Sequence, residues 1–330
     1  MNAAEDPLQT PAGRLAGAGA LERYPNGALR GVILLERNEV SVPGLGTFTP
    51  SYRHGDARSK RAHSVFFYPS GRLKGLRLDR QAALRLPSVG AVPAEKLTFY
   101  ESGAVKRVFP LDGRISGYWT ERDERSLAEP LSLSLPCGEF SCLVSSLRFH
   151  ESGAVSSVTL WPGENVEIAA GGRLYRVRIG FSLDEAGNLS SLEPARPTLV
   201  PTPLGELEAF DPEAVGIVAD RNSLELDPSG GVTALKSLAV LEAAGPPLLR
   251  IAPLSGPHPL DDGRLRHFPL TFRFGEGSVK VSRDGTRPPE EWAFGPEAAL
   301  AARPFARRPF ARLFLGGAAA PVAPAAVAGP

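Results

Sequence analysis

Two cysteines, Cys137 and Cys142 in CGEFSC, and five histidines, His54, His63, His150, His258 and His267, are the residues best suited to hold a metal or attack an electrophile. Five steps along one extended strand would separate the thiols by about 16 Å, beyond disulfide reach, so a bridge needs a turn between them. Two thiolates do not complete a zinc site without histidine or carboxylate help, and the histidines show no paired-ligand spacing. Reduced thiols and no metal are therefore expected. His54, Asp56 and His63 share the stretch SYRHGDARSKRAH, which reads as a solvated polar loop, with a metal site as its alternative. Nucleophile elbow, phosphate loop, dinucleotide fingerprint and HExxH are all missing. GLGTFTPS at 44 has two glycines but no following helix, so it makes no phosphate cradle, and neither a cofactor nor a catalytic residue is assigned.

Basic residues interleave with aromatics in RPFARRPFARLF: Arg303, Phe305, Arg307, Arg308, Phe310 and Arg312, with Phe314 beyond. Without an acid in the stretch, it is a candidate for weak contact with a polyanion, or else an exposed tail. Its prolines oppose a continuous amphipathic helix. The whole chain has no such bias, since 37 Lys and Arg face 36 Asp and Glu, a net charge of +1 that excludes a global field for nucleic acid or anionic lipid. Trp119, Trp161 and Trp292 suit either a core or a groove. The acidic start and the lack of a long uncharged apolar run favour a cytoplasmic protein with no membrane span.

The elements that must position these residues are written in a repeat. RYPNGALRGV at 23, FYPSGRLKGL at 67, FYESGAVKRV at 99, FHESGAVSSV at 149, LDEAGNLSSL at 183 and LDPSGGVTAL at 226 align on Gly27, Gly71, Gly103, Gly153, Gly187 and Gly230. Pro or Glu two before the glycine and mostly Ser one before it spell a type I turn. A left-handed glycine after such a turn closes a three-residue hairpin loop with a bulge. The residue four before each glycine then faces the residue two after it, as with Phe67 and Leu73, or Phe99 and Val105, which gives one apolar face. Another apolar residue follows five after each glycine, as at Val108, where simple alternation would turn it outward; either a bulge intervenes or both faces are covered. In this reading His150, Asp184 and Asp227, which fill the slot of Tyr24, Tyr68 and Tyr100, are turn residues, with acid–base roles as the alternative.

Successive glycines are 44, 32, 50, 34 and 43 residues apart, too irregular for a strict solenoid. The gaps hold further turns at PGLG, PSVG, AAGG and PLGE, so an all-β antiparallel meander of about six hairpin repeats is expected. TERDERSLAEP, residues 120–130, suits a short helix. The expected organisation is a disordered segment over 1–19, the repeats over 20–240, a β cap over 241–285 and a Pro/Ala/Arg-rich tail over 286–330 whose last fifteen residues are disordered.

At [FL]-[YH]-[PE]-[NS]-G and its two-apolar follow-on, the chain resembles the bacterial MORN-like hairpin-repeat proteins, including the repeat type of antitoxin components. It also resembles longer bacterial chains that repeat FYxSGxxK-like units and carry a GYW segment, here Gly117, Tyr118 and Trp119. The resemblance spans roughly residues 20–240 and implies architecture, with no catalytic residues to carry over. Repetition builds surface without concentrating reactive groups, so a non-enzymatic scaffold binding another protein through its sheet face is expected. The alternative is an enzyme, carbohydrate-active for instance, with loop-borne carboxylates.

Overall fold

The chain is seen in a computed structural model that describes residues 7–54, 62–113, 118–216, 218–245, 248–258, 261–283 and 290–305. Asp56, Arg58, Lys60, Arg61, Gly117, Arg307, Arg308, Phe310, Arg312 and the final Ala/Pro-rich stretch lie outside these residues.

An antiparallel 16-stranded sheet dominates, and its strands neighbour one another almost in sequence order. Each hairpin motif supplies two adjacent strands, beginning with Ala18–Arg23 and Leu29–Leu34 and continuing through Val144–Phe149 and Val155–Leu160. At every tip the expected turn forms: in the third copy Gly103 N donates to Tyr100 O at 3.0 Å and Tyr100 N to Ala104 O at 2.8 Å. The six glycines have φ between 82° and 99°. Gly103→Val puts a β-branched side chain at such a φ and is expected to cost about 1–3 kcal/mol in urea unfolding. Glu101→Pro should be nearly neutral, because three sister copies hold proline there. A wild-type midpoint for Gly103→Val would refute the turn.

A bulge accounts for the second apolar position. In all six copies the register slips by one just past the tip, as where Phe99 pairs Val105 but Thr98 pairs Arg107, leaving Lys106 unmatched. The unmatched residue is always the third after the glycine: Arg30, Lys74, Lys106, Ser156, Ser190 or Thr233. One extra residue returns the next side chain to the same face, so the second and fifth residues after each glycine both point to the core. The result is one apolar row across the sheet: Leu21, Val32, Val65, Leu76, Leu97, Val108 and Leu147. It continues through Val158, Phe181, Leu192, Leu224, Leu235, Phe272, Val281 and Trp292.

Shorter hairpins made by the connections cover this row. Val40–Val42 with Gly46–Phe48, Leu131–Leu135 with Gly138–Cys142, and Thr198–Thr202 with Gly205–Ala209 alternate buried and exposed residues, and their buried sides join the sheet in one core. Elsewhere the same strand serves both layers: Leu73–Leu86 and Gly90–Phe99 pair inside the sheet and again beyond a register break between Arg77 and Ala82. Phe67, Phe99, Phe149, Phe181 and Phe272 are fully buried between the layers, each contributing roughly 1.5–3 kcal/mol of transfer free energy.

Both chain ends differ from expectation. Within 1–19, Leu8–Thr10 pairs Gly13–Leu15 around a PAG turn, and Leu15 is fully buried, so two very short strands achieve what no long apolar run was present to do. Within 286–330, Glu290–Phe294 extends the large sheet and Leu300–Pro304 pairs Ala239–Ala243. Trp292, Phe294, Leu300 and Ala302 are the apolar positions that pack these strands on the core. The expected helix is present at Glu121–Arg125, closed by a capping box between Thr120 and Asp123.

Candidate functional site

Adjacent to the apolar row, and therefore on the opposite face, runs a second row in register: Thr98, Arg107, Arg148, Ser157, Ser182, Ser191, Glu225, Ala234, Arg273 and Lys280. This polar face is where the sheet gathers chemistry. Residues 210–216 and 218–223, between Ala209 and Leu224, cross over it. Ala219 N donates to Thr159 Oγ1 at 3.1 Å and Asn222 Nδ2 to Ser191 Oγ at 2.7 Å, which pins that segment down.

The crossing places Asp220 between two guanidiniums of neighbouring strands. Arg107 Nη2 reaches both carboxylate oxygens at 2.6 Å, Arg148 Nη1 stands 2.8 Å from Oδ2, and the Ser157 hydroxyl donates to Oδ1 at 2.8 Å. Arg107 is buried and also donates to Ser146 Oγ at 3.0 Å. Burial opposes ionisation of Asp220, but the Ser157 hydrogen bond and the charges of Arg107 and Arg148 outweigh it and hold the carboxyl below its usual value. A second buried ion group joins the fully buried Asp112 carboxylate to Arg77, with Lys96 Nζ at 3.9 Å. Burial lowers the Lys96 ammonium more than Asp112 raises it.

The crossing also demands an unusual backbone. Ile179, at φ 62°, is the one non-glycine residue at positive φ among the described residues, and Gly180 follows at φ 149°. There Arg173–Leu183 leaves its hairpin with Asn165–Ala170 and enters the sheet, slipping register between Val177 and Phe181. A Cβ on Gly180 would stand 2.0 Å from Val158 O and 2.6 Å from Ala219 Cβ. The close approach of strand and crossing segment therefore needs glycine at this position.

Farther along the face lies an open hollow of about 390 Å3 bordered by Glu193, Asn222, Glu225, Lys236 and Arg273. Glu193 is buried. Its Oε2 accepts from Ser223 N at 2.9 Å and from Ser223 Oγ at 2.6 Å. Desolvation raises its pKa against the lowering effect of those bonds.

The residues singled out in the sequence mostly hold the fold. Cys137 stands at the turn of a hairpin and Cys142 ends it; both are free thiols, pushed up to about 11 by burial. His54 bonds Leu34 O at 2.9 Å, and His63 lies 3.6 Å from Glu22. GLGTFTPS belongs to the hairpin of Val40–Val42 and Gly46–Phe48. Trp161 is buried, Trp292 packs on the core and Trp119 donates to Glu124 Oε2 at 2.7 Å. Arg303 and Phe305 belong to the body: Arg303 lies 3.2 Å from Glu242 Oε2, and Phe305 N donates to Leu238 O while its ring meets His267 edge-on. The acid missing from RPFARRPFARLF is thus supplied by the strand it pairs with.

The aromatic tip slot has a role that spacing did not disclose. Tyr24 OH donates to Phe67 O, Tyr68 OH to Phe99 O and Tyr100 OH to Phe149 O at 2.8–2.9 Å, and His150 Nε2 meets Leu183 O at 3.0 Å. Each of these four tips is fastened to the next copy, and the bulge cations Arg30, Lys74 and Lys106 lie over the rings of Tyr24, Tyr68 and Tyr100. Asp184 and Asp227 instead close their own turns on Asn188 and Ser229. Tyr68→Phe should cost about 0.5–1.5 kcal/mol, measured by urea unfolding, and Asp184→Asn less; equal losses would contradict this division of roles.

Sequence reasoning missed Arg107, Arg148, Asp220 and Glu193. The first two were legible as the fourth residue after, and the fifth before, a tip glycine, once the bulge is included; Asp220 and Glu193 carried no such mark. Comparison with protein families, curated proteins and solved structures finds no match. The geometry defines an all-β hairpin-repeat protein. Among the described residues no helix is long and apolar enough to cross a membrane.

Proposed function

We propose that the protein is a non-enzymatic β-repeat scaffold of the MORN-like kind that docks another protein on the polar face of its sheet. The observation that carries this reading is the segment crossing that face, which is pinned at Ala219 and Asn222 yet exposes Val215 and Val218 at 77% and 43%. Apolar side chains held outward on a fixed segment beside polar ground have the make-up of an interface centre with its rim. Arg107 and Arg148 both pair with Asp220, and so serve to fix that segment in place. The test is affinity capture from native lysate with wild type and a Val215→Asp/Val218→Asp variant of unchanged melting temperature. Loss of a wild-type partner with the variant supports the docking face; the same partners with both forms refute it.

A further inference from the structure

The array of hairpins is capped at one end and open at the other. The second strand of the sixth copy, Val232–Ser237, is followed in the sheet by Leu270–Gly275, Ser278–Arg283 and Glu290–Phe294. The first strand of the first copy, Ala18–Arg23, ends the sheet, and no described strand lies beyond it. The hairpin of Leu8–Thr10 and Gly13–Leu15 does not cover that edge. It folds inward, so that a Cβ on Gly71 of the second copy would stand 3.2 Å from Pro11 Cγ.

Sheet edges are ordinarily guarded by charge, because their free N–H and C=O groups invite pairing. Here both charges of the strand are turned to its own side: Glu22 pairs with Arg30 at 2.8 Å and stands 3.6 Å from His63, and Arg23 Nη1 donates to Gly27 O at 2.9 Å. What the edge offers is apolar. Leu21 is 43% exposed, although its neighbour in the apolar row, Val32, is fully buried. Leu35, 51% exposed, lies against Gly19, where an added Cβ would be 2.6 Å from its side chain. At its other end the row finishes on Trp292, half-buried with Arg283 over its ring.

The residues of the edge select its occupant. A two-fold axis normal to the sheet keeps core face beside core face, so residues opposite one another differ by an even number. Setting Leu21 opposite its twin meets this condition, continues the apolar row from one sheet into the next and puts Ala20 opposite Glu22. Centring the pair on Glu22 would oppose two like charges, which destabilises, and centring it on Ala20 would set Leu21 against Gly19, the residue that slips register. Head-to-tail growth meets the same obstacle: Leu21 opposite Trp292 brings Glu22 opposite Glu291.

We propose that Ala18–Arg23 pairs antiparallel with the same strand of a second copy, with Leu21 at the two-fold axis, joining two sheets into one. This goes beyond the protein-docking reading and concerns a different surface, so either can fail alone. Sedimentation equilibrium of the full chain up to about 500 μM should show a mass rising from one chain toward two, at a Kd of about 100 μM or tighter. Leu21→Lys, which sets two cations opposite one another, should weaken the dimer about tenfold or more. Ala20→Lys, one residue away but facing Glu22 of the second copy, should dimerise at least as well as wild type, and so should Leu174→Lys, at a leucine 66% exposed on another hairpin. Should Leu21→Lys fail to fold by circular dichroism, Leu21→Ala carries the comparison. A single chain at every concentration, growth beyond two chains, or equal effects of Leu21→Lys and Ala20→Lys would overturn the proposal.

Discussion

Asp220→Ala should lower the stability of the protein by about 3 kcal/mol at neutral pH. Removing one partner of a buried ion pair strands the other, at a cost of roughly 3–5 kcal/mol. Arg107 is the group stranded, with a side chain 10% exposed, while Asp220 at 24% keeps some access to water, which sets the loss toward the lower end. The variant also frees the crossing segment from Ser157. Arg148→Ala, which removes the more exposed guanidinium, should cost only about 1 kcal/mol. The pH dependence follows from the direction of the shift. A carboxyl whose folded pKa is depressed contributes stability that is complete above its unfolded value, about 3.9, and is lost as pH falls through the folded value. Asp220 is such a group, so the gap between wild type and Asp220→Ala should be constant from neutral pH to about 5 and close in stronger acid. Glu193 acts with opposite sign: its raised pKa makes ionisation a cost in the folded state, relieved as pH falls. Urea unfolding across this range checks both. A gap that is absent at pH 7, or that widens in acid, would refute the assignment.

Gly180→Ala is expected to be at least as damaging, at about 3–5 kcal/mol. The first contribution is backbone strain at φ 149°, of order 1–3 kcal/mol. The second is steric, because the added carbon meets Val158 O, a sheet carbonyl unable to move without breaking the ladder. Ala219, the other obstacle, must retreat, and it carries Asp220 with it. Gly180→Ala and Asp220→Ala should therefore be strongly non-additive, the double variant falling short of the summed losses by more than about 0.5 kcal/mol. A Gly180→Ala protein within about 1 kcal/mol of wild type would show that the segment is not seated as described.

The hairpin tips were legible because their signal is local: a type I turn with a left-handed glycine is written in adjacent residues, and Gly27 through Gly230 all carry it. The second apolar position was visible too, but choosing a bulge over a two-sided core needed the register. The two ends misled for a related reason. LQTPAGRL and the stretch from Glu290 to Phe305 are too short and too broken to announce strands; the first folds back on itself and buries Leu15, and the second becomes strands because the body offers edges to pair with. The polar face was the least legible. Arg107 and Arg148 are 41 residues apart in the sequence and adjacent only through strand pairing, while Asp220 arrives from an irregular segment with no repeat to mark it. Glu193 sits in the strand LSSLEP, where an acid reads as an outward-facing residue.

The fastening of the first four tips to the following copy bears on how such a chain can change its length. The third and fourth tips are so alike that an unequal exchange between their coding stretches would remove residues 104–153 and leave a continuous motif. Tyr100 would then occupy the place from which His150 meets Leu183 O, and the apolar row would close without a gap. The polar face would not survive the exchange, because Arg107 and Arg148 both lie in the deleted stretch and Asp220 would be left facing Ser157 alone. Copy number is therefore free as far as the apolar row is concerned and is held by the ion groups to which non-identical copies contribute, Asp112 with Arg77 and Lys96 included. Lineages that gained or lost a unit here should have lost Asp220 as well.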